Sequence, residues 1–282
     1  MSKRNRQPIR HSLVDIALLT AGCVEPQIFR DCVLAIKREM QTVDSSFYVY
    51  KDNPPRETRL IYDEIINTIP NAKTKQQIGA NVGFPRGANA VIRAGNSPLV
   101  LFISDDIILH EGTLQKLVKT MDNPEIGLCG LKLIFPQDST DPGRPAGRVQ
   151  HIGHGIDVRG EVTHPLMGWL PENPKCCVSR EVQSVTGAVF MVRRSVFIKA
   201  GGFFEGYGKG YFEDVDLNLT IQSLPTGQGS NYKIWLNAEA TATHWTGATF
   251  IKKNEPVPME VNRIILLQRK GKMLINDSFT YW

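Results

Sequence analysis

A short apolar run that ends in two acidic residues constrains the fold of this chain more than any other feature. Residues 99–103 are Leu-Val-Leu-Phe-Ile, follow Pro98, and predict a strand that is buried on both faces. Asp105 and Asp106 follow this strand closely. Carboxylates at the end of a buried strand are costly to bury unless they are paired or bind a cation. The run therefore predicts either a solvated turn or a site for a hard cation such as Mg2+, which takes oxygen ligands and often bridges to phosphates.

Strands and helices alternate in the first part of the chain. The apolar pattern predicts strands over residues 13–20 and 46–50, an extended segment over 76–79, and helices over 26–40, 57–68 and 86–94. This alternation favours an α/β fold with a mostly parallel central sheet flanked by helices. Ligands of such sheets bind beyond the carboxyl ends of the strands. Thr20, Asp52 and the Asp105–Asp106 pair all fall at such ends.

The second half of the chain is less regular. Its pattern predicts helices over residues 113–121, 194–200, 212–223 and 258–275, and strands over 127–135, 182–192, 233–236 and 240–244. Residues 136–175 are rich in Gly, Pro and His and predict short strands at most. No repeat or clear linker divides the chain. We expect a basic, flexible arm over residues 1–12, one domain over residues 13–250 and a helical extension over residues 251–282.

Composition and charge fit an ordinary globular protein. The chain has 282 residues, of which 41% are hydrophobic and 22% charged. A net charge of +5 favours anionic ligands weakly and does not by itself indicate a nucleic-acid binder. No apolar run is long enough to span a membrane, which takes about 18 residues or more. We therefore expect a cytoplasmic protein whose membrane contact, if it has any, is peripheral.

The cysteines argue against a zinc site or a disulfide framework. Their number is odd, their spacing is irregular, and no C-x-x-C pair occurs. The five are Cys23, Cys32, Cys129, Cys176 and Cys177. Reduced thiols fit the expected cytoplasmic location.

Four segments, in the same order along the chain, resemble the family 2 glycosyltransferases of the GT-A fold. Residues 81–89 are similar to the family's N-x-G-F-x-x-x-x-N segment, and residues 102–109 to its D-x-D-type strand end. Residues 185–205, followed by 211–217, resemble the family's acceptor and base segments, and residues 244–249 its histidine segment. The resemblance covers roughly residues 13–250 and implies a GT-A-type nucleotide-diphospho-sugar transferase fold.

The resemblance also implies a metal site. The donor would be a nucleotide-diphosphate sugar with UDP, GDP or dTDP, and Mn2+ or Mg2+ would neutralise its diphosphate. Asp106 matches the last acid of the D-x-D-type motif and His244 matches the family's metal-binding histidine. Ser104 stands where the motif's first acid often lies, which leaves Asp105 to contact the sugar, the ribose or the metal through water. An imidazole ligand suits Mn2+ better than Mg2+.

The family's acidic pair at a helix start is matched by Glu213 and Asp214. Transfer with inversion needs a carboxylate that takes the proton of the acceptor hydroxyl, and the resemblance implies that Asp214 is this base. The alternative is that both residues are ordinary acids in the first turn of a helix, where they favour the helix dipole. Asp216 lies two residues further on, so we expect it to point away and to be structural.

Residues of the first half would bind the donor. The resemblance implies that Thr20 and Ala21 place backbone groups against the nucleotide and that Asp52 binds the base or ribose. It places three residues along the nucleotide side of the cleft: Asn81, Gly83 and Arg86. Gly83 would allow close backbone approach. Arg86 would pair with a phosphate, or else be a solvated loop arginine. Thr186 and Gly187 match the segment under the acceptor or donor sugar, where a glycine in a strand often marks a nearby ligand.

Histidines at 151, 154 and 164 are metal-ligand types outside these motifs. Gly153 and Gly155 argue against the helix that a His-x-x-His pair would need, and residues 149–153 are similar to a family loop that carries no metal. We expect no second metal site. The glycine-rich residues 207–211 predict a mobile loop before the base, able to stack on a sugar or a base.

The sequence therefore predicts a metal-dependent transferase that moves a sugar to an acceptor hydroxyl with inversion. The acceptor would be a polysaccharide, a lipid-linked glycan, a protein or a modified nucleobase. Basic groups at residues 3–6, 252–253 and 269–272 would also suit a nucleic-acid or membrane-surface acceptor. One alternative is a sugar-phosphate nucleotidyltransferase, but residues 21–26 lack its basic phosphate loop. Another is a non-catalytic carbohydrate-binding protein, against which Asp106, Asp214 and His244 argue together.

Overall fold

The computed structural model describes residues 12–246 and 258–274, and the predicted arm over residues 1–12 lies almost wholly outside them. The strands are β1 (Val14–Thr20), β2 (Ser45–Asp52), β3 (Lys73–Gln77), β4 (Leu99–Ser104), β5 (Ile107–Leu109), β6 (Ile126–Ile134), β7 (Val149–His151), β8 (Gly155–Ile156), β9 (Val162–Thr163), β10 (Arg180–Glu181), β11 (Val189–Arg193) and β12 (Lys233–His244). The helices are α1 (Pro26–Glu39), α2 (Arg56–Ile66), α3 (Phe84–Val91), α4 (Thr113–Thr120), α5 (Arg194–Lys199), α6 (Glu213–Gln222) and α7 (Met259–Lys270).

The first half forms the parallel part of the sheet. Strands β3, β2, β1 and β4 lie side by side in that order, and each neighbouring pair is parallel. The β1 and β4 side chains are almost all buried, as their apolar runs predict. Parallel pairing brings the carboxyl ends of β1, β2 and β4 to one edge. Thr20, Asp52 and Asp105 consequently lie at that edge, as expected.

The second half adds a mixed part to the same sheet. Strand β11 enters antiparallel between β4 and β6, and β12 then pairs parallel to β6. The far end of β12 pairs antiparallel with β5, so that His244 lies opposite Ile107. This pairing carries the histidine across more than a hundred residues of sequence to the turn that follows β4. The α/β fold class predicted from the sequence is confirmed.

Two apolar clusters hold the helices against the sheet. One packs α1, α2 and α4 against one face, with Phe29 stacked on Tyr62 at 3.8 Å between ring centroids. The other packs α3, α5 and α6 against the opposite face. A third, smaller cluster joins α7 to α6 and the residues before it. The elements that carry the acids and the histidine are thus fixed from both faces.

Three strand predictions differ from the structure. The strand predicted over residues 182–192 begins only at Val189, because residues 186–188 turn and use their backbone N–H groups on side chains. The extended segment predicted over 76–79 overlaps only the last two residues of β3, which ends at Gln77. The strands predicted over 233–236 and 240–244 are one strand, with an irregularity between Asn237 and Thr241.

Neither the domain division nor the flexible arm is tested by the fold, and both stay predictions. Of the helical extension predicted over residues 251–282, the structure describes residues 258–274, where α7 and one short helical turn lie. In the parts of the chain described, no helix combines the length and the apolar character needed to cross a bilayer.

Candidate active site

One cavity of about 530 Å³ collects most of the predicted site residues. It opens at the carboxyl edge of β1, β2 and β4, where sheets of this kind bind ligands. The predicted residues that line it are Thr20, Ala21, Asp52, Asn81, Gly83, Asp105, Asp106, Thr186, Gly187, Glu213, Asp214 and His244. Side chains far apart in the sequence therefore meet in a single cleft.

The histidine and the second acid face each other. His244 Nε2 lies 3.5 Å from Asp106 Oδ2, and both side chains are largely buried. The backbone N–H of Trp245 donates to the carbonyl of Asp106 at 3.1 Å and fixes the turn. On the other side of the ring, Nδ1 lies 2.8 Å from Gln150 Oε1. Because an amide oxygen only accepts, Nδ1 of His244 carries a proton, which leaves Nε2 as the ring nitrogen that can bind a cation.

This arrangement fits a divalent cation. An imidazole nitrogen and a carboxylate oxygen, each able to donate an electron pair to a cation, face each other at 3.5 Å. Nitrogen and oxygen donors together suit Mn2+. Gln150 is held in turn by donating its amide N–H to Thr246 Oγ1.

The first acid of the pair is buried beside the second. Thr20 Oγ1 donates to Asp105 Oδ2 at 2.5 Å. Burial, and then the negative charge of Asp106, raise the pKa of Asp105 to about 8. Two carboxylates this close repel each other in a site of low dielectric. A bound cation would relieve that repulsion.

Backbone amides hold the predicted base. Gly187 N–H donates to Asp214 Oδ2 at 2.7 Å, and Val215 N–H donates to Oδ1 at 2.8 Å. Burial raises the pKa of the Asp214 carboxyl, while these hydrogen bonds oppose the rise. Tyr211 and Phe212, just before α6, have φ values of 75° and 74°, in the left-handed region that non-glycine residues rarely adopt. The strained turn delivers the first residues of α6 into the cavity.

The two other acids of α6 differ from Asp214. Glu213 is buried, and its Oε2 has no hydrogen-bond partner among the described residues. Burial, and then the charge of Asp214, raise the pKa of Glu213 to about 8. Asp216 points away, accepting from Tyr207 Oη at 2.9 Å and pairing with Arg269. These contacts agree with the expectation that Asp216 points away from the cavity, and its structural role stays a prediction.

The nucleotide side is built by backbone contacts. The Asp52 carboxylate accepts the N–H groups of Val82 and Gly83, both at 2.9 Å. Gly83 has φ 91°, and a Cβ there would lie 2.3 Å from the carbonyl oxygen of Gly208. The close backbone approach predicted at Gly83 is therefore made by another segment of the chain.

Arg86 is the predicted site residue that the structure does not bring to the cavity. Its Nε lies 3.2 Å from Glu205 Oε2, and both side chains are about half exposed. Of the two interpretations of Arg86, this contact favours a solvated surface arginine.

Sequence reasoning missed Gln150, and it named three histidines without predicting that their rings meet. Gln150 orients His244. The only sequence signal for it was two consecutive polar residues, Gln150 and His151, in a short strand, where successive side chains point to opposite faces. The imidazoles of His151, His154 and His164 also come together, with ligand nitrogens within 4.8 Å of one another. Short strands and turns rather than a helix bring them together, so helical spacing could not predict this contact.

Comparison with known proteins agrees with this geometry. The sequence profile of "Glycosyl transferase family 2" matches residues 23–201, well over half of the chain. The O-antigen biosynthesis protein RfbC of Myxococcus xanthus is 32% identical over 148 residues, which cover 50% of this chain and 11% of that protein. The uncharacterized protein y4gI of Sinorhizobium fredii is 25% identical over 140 residues, covering 48% and 14%. The chain thus spans only a small part of the length of these relatives.

Solved structures share the fold. GalNAc-T7 with UDP, GalNAc and Mn2+ superposes with a TM-score of 0.65 at 11% identity, covering 92% of this chain and 48% of that one. The mannosyltransferase PcManGT of Pyrobaculum calidifontis, in complex with GDP-Man and Mn2+, gives 0.57 at 12% identity, covering 96% and 70%. Asp214 and His244 lie beyond the profile match, but within the folded cavity. Together, the profile match and the shared fold show that the chain belongs to glycosyl transferase family 2 and has the GT-A fold.

Proposed function

We propose that this protein transfers a sugar from a nucleotide-diphosphate donor to an acceptor hydroxyl, with inversion at the sugar carbon. The observation that carries the proposal is the convergence of Asp106, His244 and Asp214 on one cavity at the carboxyl edge of the sheet. A metal-type pair and a carboxylate base in one cleft are the two parts that this reaction needs.

Asp106 and His244 would hold the divalent cation, Mn2+ or Mg2+. When bound, the cation supplies positive charge that neutralises the diphosphate leaving group. Mn2+ is present in the GalNAc-T7 and PcManGT complexes, and the imidazole nitrogen of this site favours the same choice here. Gln150 keeps His244 in the tautomer that a metal ligand requires.

Asp214 would take the proton of the acceptor hydroxyl as its oxygen attacks the sugar. Two backbone N–H groups fix the carboxylate, and burial makes it more basic than an ordinary aspartate. Both effects suit a general base, which must be oriented and have a pKa nearer to neutrality. Glu213, whose pKa lies at about 8, stays mostly protonated at neutral pH and so adds no second full charge beside the base.

Donor binding would use the edge formed by the parallel strands. Thr20, Ala21, Asp105 and Asn81 line the cavity there, and Thr186 and Gly187 line the side next to Asp214. The solved neighbours were captured with UDP, with GDP-Man and with UDP-GlcNAc, so UDP, GDP and dTDP sugars are all donors to test. The acceptor would be a glycan or another hydroxyl-bearing molecule.

The test is hydrolysis of nucleotide sugars, with water in place of the acceptor. We expect UDP-, GDP- or dTDP-sugar turnover that requires Mn2+, and we expect Asp214→Asn to lower kcat by about a hundredfold or more while nucleotide binding remains. Asp138→Asn, at an exposed aspartate outside the cavity, is the matched control and should keep full activity. Absence of Mn2+-dependent turnover with every donor would contradict the proposal.

Inversion has its own readout. NMR of the released sugar, recorded before its anomers equilibrate, should show the anomer opposite to that of the donor. Release of the same anomer would exclude direct displacement by a single base and leave Asp214 without the proposed role.

A further inference from the structure

Three imidazoles form a cluster on the wall of the cavity beside the predicted base. His151 belongs to β7, His154 follows it, and His164 follows β9. Their ring centroids lie 4.7 to 5.2 Å apart. All three line the cavity that also contains Asp214.

The hydrogen bonds of this cluster assign the protons of two rings. Nε2 of His151 accepts the backbone N–H groups of Gly153, at 3.2 Å, and of Thr186, at 3.1 Å. A ring nitrogen that accepts is unprotonated, so neutral His151 carries its proton on Nδ1. That Nδ1 lies 3.0 Å from Nδ1 of His164. His151 therefore donates, His164 accepts, and the proton of neutral His164 must be on Nε2.

The same bonds argue against a metal ion in the cluster. A metal bound to Nδ1 of His151 would displace the proton that reaches His164. The opposite nitrogen of a metal-bound imidazole normally carries a proton, but here two N–H groups already point at it. Burial lowers the pKa of His151 well below its usual range and that of His164 to about 3, so both rings are neutral near pH 7.

One end of this pair reaches the predicted base. Thr186, whose N–H binds His151, is followed by Gly187, whose N–H binds Asp214. His151 thus holds the turn that holds the carboxylate. A Cβ on Gly187 would lie 3.2 Å from the Cβ of Asp214, which leaves little room for this turn to shift.

The other end of the pair faces the cleft. The ring of His164 packs against His151 and His154, although the residue as a whole remains open to solvent in the cavity. Its Nε2 has no hydrogen-bond partner among the described residues. His164 and Asp214 line the same cavity, and His151, whose ring contacts His164, also binds the turn whose next N–H binds Asp214. An N–H donor and a carboxylate acceptor on one wall match a hydroxyl group, which can accept from one and donate to the other.

We propose that His164 donates a hydrogen bond from Nε2–H to the oxygen that attacks the sugar, and that His151 is a positioning residue that fixes the tautomer of His164 and the turn at Thr186–Gly187. The inference rests on the proposed function. In the step, the attacking hydroxyl gives its proton to Asp214 while its oxygen forms the new bond to the sugar carbon. The bond from that carbon to the diphosphate breaks, its electron pair leaves on the diphosphate oxygen, and His164 keeps its proton.

The proton positions are tested first, without any substrate. Long-range 1H–15N NMR of the full chain distinguishes the two tautomers of a neutral histidine, and signals are assigned by comparison with His151→Gln and His164→Gln. We expect the Nδ1–H form for His151 and the Nε2–H form for His164 near pH 7. The opposite tautomer at either position would overturn the proposal.

A matched pair of variants at His164 tests the role in turnover. A glutamine amide reaches the position of Nε2, whereas an asparagine amide reaches only that of Nδ1. We expect His164→Asn to lower kcat for Mn2+-dependent donor hydrolysis by about tenfold or more, the donor KM to change little, and His164→Gln to restore much of the loss. A merely structural contact with His151 would give the reverse order, since asparagine keeps the acceptor for His151.

At His151, a glutamine side chain can still accept at the position of Nε2, whereas an asparagine side chain cannot. We expect His151→Gln to retain more turnover than His151→Asn, with equal Mn2+ affinity in both. If the wild type is active and His164→Asn has the same kcat, the role of His164 is overturned while the proposed function stands. A wild type without Mn2+-dependent turnover would overturn the proposed function as well.

Discussion

At the scale of single residues, the uncharged side chain of Gln150 determines which ring nitrogen of His244 faces Asp106. Gln150 accepts from Nδ1 of His244 and thereby leaves Nε2 free to face Asp106. The amide donates its own N–H to Thr246, so it cannot rotate without losing both bonds. The proposed metal site would thus depend on a residue that does not itself touch the metal.

Replacing Gln150 should therefore weaken metal binding. Gln150→Leu removes the acceptor, and we expect Mn2+ affinity to fall by about 10- to 100-fold because His244 is no longer held in the ligand tautomer. Gln150→Glu keeps an acceptor for His244 and should bind Mn2+ more tightly than Gln150→Leu. Titration calorimetry or Mn2+ EPR measures both constants, and equal affinity in the two variants would exclude the orienting role.

How far the site can be predicted depends on the kind of residue. The place of Asp106, Asp214 and His244 in the cavity could be predicted because each lies in a motif whose residue types have a clear chemical use. Gln150 could not, since its effect arises from a contact with a residue 94 positions away. Arg86 shows the opposite case, in which a plausible phosphate ligand is paired on the surface by Glu205.

At the scale of elements, the segment before α6 is held from two sides. Asn262 of α7 is buried and donates from Nδ2 towards the carbonyls of Tyr207, Gly210 and Tyr211, at 2.9 to 3.2 Å. On the other side, Phe84 N–H donates to the carbonyl of Lys209 at 3.2 Å. The C-terminal helix and the nucleotide side of the cleft therefore both fix the segment that leads to Glu213 and Asp214.

Asn262→Asp should loosen this segment. The carboxylate has no N–H to donate and faces carbonyl oxygens, so we expect a loss of stability of about 1–3 kcal/mol and a lower kcat for donor hydrolysis. Asn67→Asp, at an exposed asparagine after α2, is the control and should change neither. Thermal denaturation and steady-state kinetics measure the two effects. Unchanged kcat in a folded Asn262→Asp variant would show that the segment needs no support from α7.

Most elements could be predicted from periodicity, but strand 182–192 could not. Val182 and Val185 are buried like strand residues, yet the chain turns at Gly187 to present amides to His151 and Asp214. Hydrophobic periodicity indicates which side chains are buried, but not which groups the backbone N–H donors bind. The antiparallel pairing of β12 with β5, which delivers His244, is likewise a long-range contact that no local pattern encodes.

At the scale of the whole molecule, the cavity lies where the two parts of the sheet meet. The parallel part contributes Thr20, Asp52 and Asp105, whereas α6 and β12 of the second half contribute Asp214 and His244. Folding therefore buries carboxyls and imidazoles together in one place. Since burial disfavours the charged form of each, the two kinds of group make stability depend on pH in opposite directions.

The histidines of the cavity determine how stability depends on pH below about 6.5. Burial lowers the pKa of His154 and of His164 from 6.5 to about 3. Below about pH 6.5 the unfolded chain binds protons that the folded chain excludes, so stability rises as pH increases towards that value. Glu213 acts in the other direction, since its pKa rises from 4.5 to about 8 on folding. The folded chain then binds the extra proton, and this stability is lost as pH rises towards about 8.

We therefore expect the metal-free protein to be most stable near neutral or slightly acidic pH, and Glu213→Gln to isolate the loss at higher pH. The variant cannot ionise at this position. Its free energy of unfolding should therefore still rise with pH up to about 6.5, but should fall less than that of wild type between there and pH 8. Its free energy of unfolding, relative to wild type, should increase steadily from about pH 5 to 8. Denaturant titrations in EDTA at several pH values measure this difference. If the free energies of unfolding of the two proteins differ by the same amount at every pH, the pKa of Glu213 is equal in the folded and unfolded chains. Burial would then not raise the pKa of this carboxyl.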